Sequence, residues 1–327
     1  MRKSVARSTI QGLLTALILL FTCHGTVLAT EARVGAYVTG LRDLNMRDKT
    51  FDADIWLWAI TPSGVTSPLK TMEYTNSKQV RTSYESSQTI DGKAWHQIKA
   101  SGTFYQHWDL SRFPFDRQVL LIRVEESLSD ETALTYVVDT PNSSISQQLV
   151  VDGWAITDFK IRGASFTYNS TYGDPRLDPG ASSHYPGLIM EITMVRQEMM
   201  SFVLLAMPVY VAVMVSFLTF FMRLDNSSLN SPRYSMIAGS LFLIIINLRA
   251  ASDQIGASSG VGLIQAIHLL AMVSVLLITT VVIRGQIRME KGVAVDVIAA
   301  DCRKMAITLA CLFILINVGM IAMAAFG

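Results

Sequence analysis

Residues 106–120 read QHWDLSRFPFDRQVL, a stretch too particular to be an ordinary β-strand. Its centre is the Phe-Pro-Phe-Asp motif formed by Phe113, Pro114, Phe115 and Asp116. Alone, so short a motif would be weak evidence of any fold. Its meaning depends on the chain on either side, which divides into two contrasting halves.

The half that contains this motif, residues 31–200, alternates apolar and other residues with a period of two. In residues 51–60 alternate residues are apolar, whereas Trp56 and Trp58 lie on the opposite face. Similar runs occur at 119–124, 154–161 and 188–195. The pattern predicts no helix in this half. Short strands separated by turn-rich segments predict an antiparallel, immunoglobulin-like β-sandwich that forms one domain.

Charged residues become scarce after residue 200. They make up 16% of the 327 residues, against about 25% in an average soluble protein. Four long apolar runs occupy this part, at 201–222, 234–255, 261–284 and 304–326. Each is expected to cross the hydrocarbon core as a helix. The chain is therefore expected to join a sandwich domain, residues 30–197, to a four-helix transmembrane domain, residues 198–327. The net charge of +1 gives no reason to expect a nucleic-acid partner.

The basic residues between the apolar runs predict the orientation in the membrane. They cluster between the first and second runs and between the third and fourth, but are absent between Asp253 and Ile283. By the positive-inside rule, the sandwich and the C-terminus are expected outside the cytoplasm. Residues 1–29 have the basic start, apolar stretch and small residues of a secretory signal peptide, which requires the same orientation. An uncleaved anchor helix is the alternative.

The sequence carries no arrangement of side chains typical of an enzyme. The histidines lack metal-ligand spacing, and beyond residues 1–29 the cysteines are Cys302 and Cys311. No glycine-rich phosphate loop or Ser-His-Asp arrangement is evident. We therefore expect no enzyme activity, no cofactor and no metal site, and a sandwich that folds without a disulfide.

In this setting residues 106–120 resemble the signature loop of the pentameric ligand-gated ion channels, the Cys-loop receptor superfamily. In that family an Asp and then Phe-Pro-Phe-Asp lie between two disulfide-bonded cysteines. Gln106 and Leu120 occupy the cysteine positions here, a departure shared by bacterial members. Further matches are Ile55-Trp56-Leu57, Gly153-Trp154, Arg196 before the first membrane helix, Pro208 within it, and Pro232-Arg233 before the second.

The resemblance covers residues 30–327 and implies a homopentamer, in which the partners of each chain are four identical subunits. The short link from Arg284 to Lys304 lacks the intracellular domain of animal receptors, so a bacterial type in the inner membrane is implied. A small molecule, ion or proton that binds the periplasmic sandwich would open a pore for permeant ions, surrounded by membrane lipids. A non-conducting, membrane-anchored binding or interaction protein on the same scaffold is the alternative.

One face of the second membrane helix is expected to line the pore. Its residues are Ser235, Gly239, Phe242, Ile246, Arg249 and Asp253. The alternative, shifted by one residue, is Tyr234, Ala238, Leu241, Ile245, Leu248 and Ser252. We prefer the first because it keeps Arg249 and Asp253 out of lipid. Apolar rings can close a pore by dewetting, so Phe242 and Ile246 are the expected gate. Pro232 and Arg233 at the inner mouth, with Arg249, favour anions slightly over cations, whereas Asp253 acts in the opposite direction.

The resemblance places the ligand between neighbouring subunits. The candidate residues are Trp56, Trp58, Glu125, Glu126, Glu131, Phe166, Tyr168, Tyr172 and Tyr185. The rings would form a cage for a cation, and the acidic residues suit a cationic ligand, a divalent ion or a proton. Alternatively, the tryptophans pack against a neighbouring subunit and the acidic cluster is a solvated loop. The Trp-x-Pro-Asp or Trp-x-Pro-Glu segment that helps to build the agonist site in many relatives is absent between Trp58 and Trp95.

The resemblance also implies a route from ligand to pore. Asp116 would pair with Arg196, with Asp43 or Asp48 from the first hairpin nearby. Our hypothesis is that twisting of the sandwich moves the motif from Phe113 to Asp116 against the link from Asp253 to Val261.

Overall fold

The computed structural model describes residues 29–175, 178–223, 225–256 and 260–327. The predicted signal peptide, apart from its last residue, therefore lies outside the described residues. The strands are β1 (Thr30–Asn45), β2 (Thr50–Pro62), β3 (Met72–Tyr74), β4 (Ser77–Ile90), β5 (Lys93–Tyr105), β6 (Arg117–Glu126), β7 (Leu134–Val138), β8 (Ser144–Ile145), β9 (Trp154–Tyr168) and β10 (Ser183–Arg196). The stretch at 106–116 is the loop between β5 and β6.

The ten strands form two sheets, as predicted for a β-sandwich. One sheet has the order β4-β5-β2-β1-β7, with β8 also paired to β1, and the other has the order β3-β6-β10-β9. Most neighbours are antiparallel, but β1 runs parallel to both β7 and β8. The expectation of a wholly antiparallel sandwich is therefore wrong at this edge, because pairing partners depend on long-range topology and not on a local period.

The sandwich core forms from the alternating residues of both sheets. In β2 the predicted apolar face is fully buried, from Phe51 through Ile55 to Ala59, while Trp56 and Trp58 lie on the partly exposed face. The other sheet contributes Leu120 and Ile122 of β6 and Met190 of β10 to this core, where they are also buried. The period-two pattern thus identified the buried face correctly.

Four helices follow the sandwich: α1 (Met200–Leu218), α2 (Asn230–Ile255), α3 (Leu263–Glu290) and α4 (Val295–Phe326). All four are long and apolar enough to cross a membrane, which indicates a multi-pass membrane protein. α3 and α4 extend well past the predicted bounds, so that only residues 291–294 separate them. Their extensions pack together, because Gly285 approaches Cys302 closely and Arg288 forms an ion pair with Asp301.

The buried core continues from the sandwich into the helices. Leu205 of α1, Ile255 of α2 and Ile264 of α3 belong to the same cluster as Phe113 and Trp154. Only residues 197–199 separate β10 from α1. The sandwich and the helices therefore share one continuous buried core at this junction.

Candidate functional site

The junction between sandwich and helices is built around a buried ion pair. Arg196 donates from Nε to Asp116 Oδ1 at 2.7 Å and from Nη2 to Oδ2 at 3.1 Å. The two side chains are only 7% and 2% exposed. The backbone N–H of Arg196 also donates to the carbonyl of Asp116 at 3.1 Å, and Gln118 Nε2 donates to the carboxylate at 2.8 Å. The predicted pair is therefore a fully bonded, two-pronged contact between the last residue of β10 and the β5–β6 loop.

Two aromatic rings hold the guanidinium of Arg196. Its Cζ lies 4.8 Å from the ring centre of Phe113 and 4.2 Å from that of Trp154. Among the described residues, neither Asp43 nor Asp48 forms an ion pair with Arg196. Asp48 is exposed and bonds Asn45 within the β1–β2 turn, and Asp43 is also exposed. The side chain of the β1–β2 turn that contacts Arg196 is Met46, whose sulfur lies 3.6 Å from Nη2.

The β5–β6 loop and the β1–β2 turn touch the two ends of the α2–α3 link. The carbonyl of Ser111 accepts a hydrogen bond from the N–H of Leu263 at 3.0 Å, at the start of α3. At the end of α2, Gly256 adopts a φ of 89°, and a Cβ there would lie 2.9 Å from the carbonyl of Met46. The contacts with the ends of this link are made by Ser111 and Met46, whereas the hypothesis assigned them to the motif from Phe113 to Asp116.

The phenylalanines of the motif point into the helices instead. Phe113 and Phe202 of α1 have ring centres 6.5 Å apart. Phe115 packs against the separate apolar cluster inside the helix bundle, and the Phe113–Pro114 peptide is cis. The motif therefore contacts both the sandwich core and the bundle core.

α2 turns one face away from the rest of the chain. All six residues of the preferred stripe are exposed, and in the shifted stripe Leu241, Leu248 and Ser252 are half-buried. Phe242 is 66% exposed and Ile246 50% exposed. Neither Arg249 nor Asp253 forms an ion pair among the described residues. An apolar middle flanked by small residues on one side and charged residues on the other is therefore available to a partner or to water.

The opposite face of α2 is held by buried polar contacts. Asn247 Nδ2 donates to the carbonyl of Leu205 at 2.6 Å and lies 3.0 Å from His268 Nε2 on α3. His268 is fully buried, with Nδ1 2.8 Å from the carbonyl of Ile264. These contacts fix the rotation of α2 about its axis, because turning the helix would leave buried polar groups unpaired.

Three of the predicted aromatic ligand residues form one cluster. The ring centres of Tyr168, Tyr172 and Tyr185 lie 5.5 to 6.3 Å apart in edge-to-face contacts. Phe166 is not among them, because it packs over Gly187. The rings contact one another, so in this conformation they are a packed cluster and not an open cage.

Glu125 borders the tyrosine cluster (Tyr168, Tyr172 and Tyr185). It accepts a hydrogen bond from the Tyr168 hydroxyl at 2.6 Å, and burial raises the pKa of its carboxyl above the usual value. Glu131 and Tyr185 line a nearby cavity of about 550 Å³. An acidic group with a raised pKa, next to the exposed ring of Tyr172, suits a protonatable or cation-binding site.

The other predicted ligand residues have intramolecular partners. Glu126 is buried and accepts hydrogen bonds from Thr71 at 2.7 Å and Tyr136 at 2.9 Å, so it is a structural carboxylate. The reading of this acidic cluster as a solvated loop is therefore wrong for Glu125 and Glu126, because they lie at the end of β6.

The two tryptophans lie in the other sheet from the tyrosine cluster. Trp58 donates from Nε1 to the buried Asp139 at 2.9 Å, and Trp56 contacts Tyr84 edge to face at 5.0 Å. The chain alone therefore does not bring the tryptophans and the tyrosine cluster into one site.

Several of these partners were missed from the sequence, including Met46, Asp139, Asn247 and His268. The sequence signal for the last two was a polar residue inside each of two apolar runs, which in a membrane helix marks a contact with protein or water. Met46 and Asp139 carried no comparable signal.

No protein-family model matches the chain, and no curated protein matches it.

Proposed function

We propose that the chain is one subunit of a homopentameric ligand-gated ion channel whose pore is lined by α2. The observation that carries this proposal is the exposed face of α2. Arg249 and Asp253 lie on that face of a helix that is long enough to cross a membrane. Charged side chains are costly in lipid, so this face must meet water or other protein.

Symmetric packing of five copies around α2 satisfies this requirement. It covers the apolar flanks of the helix and leaves Ser235 and Gly239 at one end of a lumen and Arg249 and Asp253 at the other. Phe242 and Ile246 then form two apolar rings at mid-height, where a narrow pore sheds water and closes. α4 is the least buried of the four helices, with many exposed apolar side chains, and suits the lipid-facing position.

The same assembly supplies the missing half of a ligand site. In a ring of identical subunits, each chain presents one surface to one neighbour and a different surface to the other. The tryptophan sheet of one copy would then face the tyrosine cluster of the next. The ligand we propose is a cation or a proton, because the raised pKa of Glu125 favours proton uptake and the exposed ring of Tyr172 can contact a cation.

Signal transfer would run through the junction. Movement of β10 acts on the Asp116–Arg196 pair, and the loop that contains Asp116 bonds the start of α3. The orientation follows from the basic residues at the far end of the bundle, so we place the sandwich in the periplasm and the helices in a bacterial inner membrane.

The proposed preference for anions depends on Arg249. The Arg233 side chain is buried and turned away from the exposed face, so it does not line an inner mouth. Arg249 and Asp253 carry opposite charges one helical turn apart. The reversal potential in a KCl gradient measures the relative permeability to anions and cations. Arg249→Gln should shift this potential towards cation selectivity.

The decisive experiment is ion flux into liposomes that contain the purified chain. We would screen amines, amino acids, protons and divalent cations as agonists, and compare the chain with Phe242→Ala. Removing the apolar ring should raise the ion flux measured in the absence of agonist by about tenfold, because a wider, less apolar constriction stays filled with water. Phe326→Ala is the matched control, since it removes the same side chain from the exposed end of α4.

The result distinguishes the channel from its alternative. If neither protein conducts under any condition, a non-conducting binding protein on this scaffold is the better account. If Phe326→Ala raises flux as much as Phe242→Ala does, the leak is unspecific and the assignment of the pore to α2 fails.

A further inference from the structure

The β5–β6 loop is closed at its base by the side chains of two glutamines. Gln106, the first residue of the loop, donates from Nε2 to the carbonyl of Val119 at 3.0 Å, and its Oε1 accepts from the N–H of Leu121 at 3.4 Å. Gln118 of β6 reaches back in the opposite direction. Its Nε2 donates to the carbonyl of Asp109 at 2.7 Å, and its Oε1 accepts from the N–H of Asp109 at 3.2 Å. We call these two bridges the glutamine clamp (Gln106 and Gln118).

The amide of Gln118 also holds the carboxylate of the buried ion pair. Gln118 is only 2% exposed, and its Nε2 donates to Asp116 Oδ2 at 2.8 Å as well as to Asp109. The same carboxylate oxygen accepts from Arg196 Nη2. One buried amide therefore fixes both the backbone at the start of the loop and the acidic residue at its end. Its loss would remove hydrogen-bond partners from buried polar groups, which is costly.

A chain of hydrogen bonds leads from Gln118 to the first residue of α3. The Asp109 carboxylate accepts from the N–H of Ser111 at 3.1 Å, and the carbonyl of Ser111 accepts from the N–H of Leu263 at 3.0 Å. Gly262, which precedes α3, provides no side-chain cap. The carbonyl of Ser111 therefore binds one of the N–H groups that the start of a helix leaves unpaired. The position of Ser111 depends on Asp109, and Asp109 is held by the clamp.

We propose that Gln106 and Gln118 are positioning residues for the junction. By closing the loop, they hold Ser111 against the start of α3 and Asp116 against Arg196. A loop whose base is bridged has less conformational freedom, so movement of β6 and β10 reaches α3 and is not lost in flexing of the loop. The last step rests on the proposed function, whereas the positioning itself does not.

Hydrogen exchange at Leu263 tests the positioning in the purified full-length chain. Gln106→Ala and Gln118→Leu each remove one bridge and leave Ser111 and Leu263 unchanged. We expect the Leu263 amide to exchange about tenfold faster in both variants, because its acceptor is no longer held in place. Mass spectrometry of the peptides that contain Leu263 measures the rate. Since Gln106 is half-buried, its variant tests the clamp even where Gln118→Leu fails to fold.

Two controls separate positioning from a general loss of stability. Gln147→Ala removes an exposed glutamine of the same domain and should leave exchange at Leu263 unchanged. Gly187→Ala introduces a clash near the start of β10, and it should also leave exchange at Leu263 unchanged. The proposal is overturned if Leu263 exchanges in the clamp variants at the rate of Gln147→Ala, or if Gly187→Ala accelerates this exchange equally.

Ion flux into liposomes tests whether the clamp serves coupling, with an acid pH step as the stimulus. Both clamp variants should reduce the acid-evoked flux about tenfold, in proportion to the loss of positioning. Combined with Phe242→Ala, they should keep its agonist-independent flux, because the pore is unaltered. Undiminished acid-evoked flux despite faster exchange at Leu263 would overturn the coupling role. If acid evokes no flux from the unchanged chain, that failure belongs to the channel proposal or its ligand, and the exchange result decides the clamp.

Discussion

The buried pair between Asp116 and Arg196 makes a quantitative prediction. Asp116→Asn keeps the shape of the side chain but removes the charge that faces Arg196. Arg196→Gln removes the guanidinium and leaves the carboxylate unpaired. Each single change should be strongly destabilising, because it leaves one buried charge, almost inaccessible to water, without its opposite charge.

The structure sets the expected size of the effect. Side chains that are 7% and 2% exposed receive little solvent screening, so the typical cost of about 3–5 kcal/mol for breaking a buried pair applies. Arg196→Gln also loses the contacts with Phe113 and Trp154, worth about 1 kcal/mol more. The double variant should cost less than the sum of the single variants by at least about 1 kcal/mol, because neither charge is then left alone.

Tryptophan fluorescence during denaturant unfolding of the full chain is the assay. All five tryptophans precede residue 155, so the signal reports on the sandwich. Glu191→Gln is the control: it breaks the Arg162–Glu191 pair, whose side chains are 57% and 28% exposed, and should cost less than about 1 kcal/mol. Single variants at the junction that cost no more than this control, or strictly additive costs, would refute the reasoning. In liposomes the same junction variants should lose agonist-evoked flux, and unchanged flux would count against coupling through the pair.

Two further predictions concern the surroundings of the tyrosine cluster. Because burial raises the pKa of Glu125 in the folded state, the fold binds this proton more tightly than the unfolded chain does, and stability falls as pH rises through the raised pKa. Glu125→Gln, which stays neutral, should raise Tm at pH 8 by about 2 °C or more and change it little at pH 4; equal shifts at both pH values would contradict this. Gly187→Ala should cost about 2 kcal/mol, because its Cβ would clash with the carbonyl of Val124 and the ring of Phe166. Gly163→Ala, with its nearest neighbour at 3.6 Å, should be close to neutral, and similar unfolding midpoints for both would show that the clash relaxes freely.

Sequence reasoning succeeded where the information is local. The period-two pattern of β2 predicted its buried face, and the lengths of the apolar runs predicted four helices. The stripe from Ser235 to Asp253 is exposed in the structure as expected, because the helical period alone places these residues on one face. Its role in a pore stays a prediction.

Sequence reasoning was weaker where side-chain direction depends on distant parts of the chain. Arg233 was expected at an inner mouth, yet its guanidinium turns inward to the carbonyls of Met222 and Arg223. Glu126 looked like part of an acidic surface, yet it binds Thr71 and Tyr136 from other strands. In both cases the charged residue type predicted a solvent-exposed side chain. The side chain is buried instead, because folding brings hydrogen-bond partners to it from other parts of the chain.

The sequence by itself determined the order of the two halves, the alternation that builds the sandwich, and the helical faces, because these depend on neighbours a few residues apart. Only the tertiary structure decided that Met46 of the β1–β2 turn contacts Arg196 beside Asp116, that Ser111 meets the start of α3, and that the buried Arg233 forms no ion pair among the described residues. Each of these contacts joins residues far apart in the chain. Their geometry follows from how the sandwich packs on the bundle, which no local period encodes.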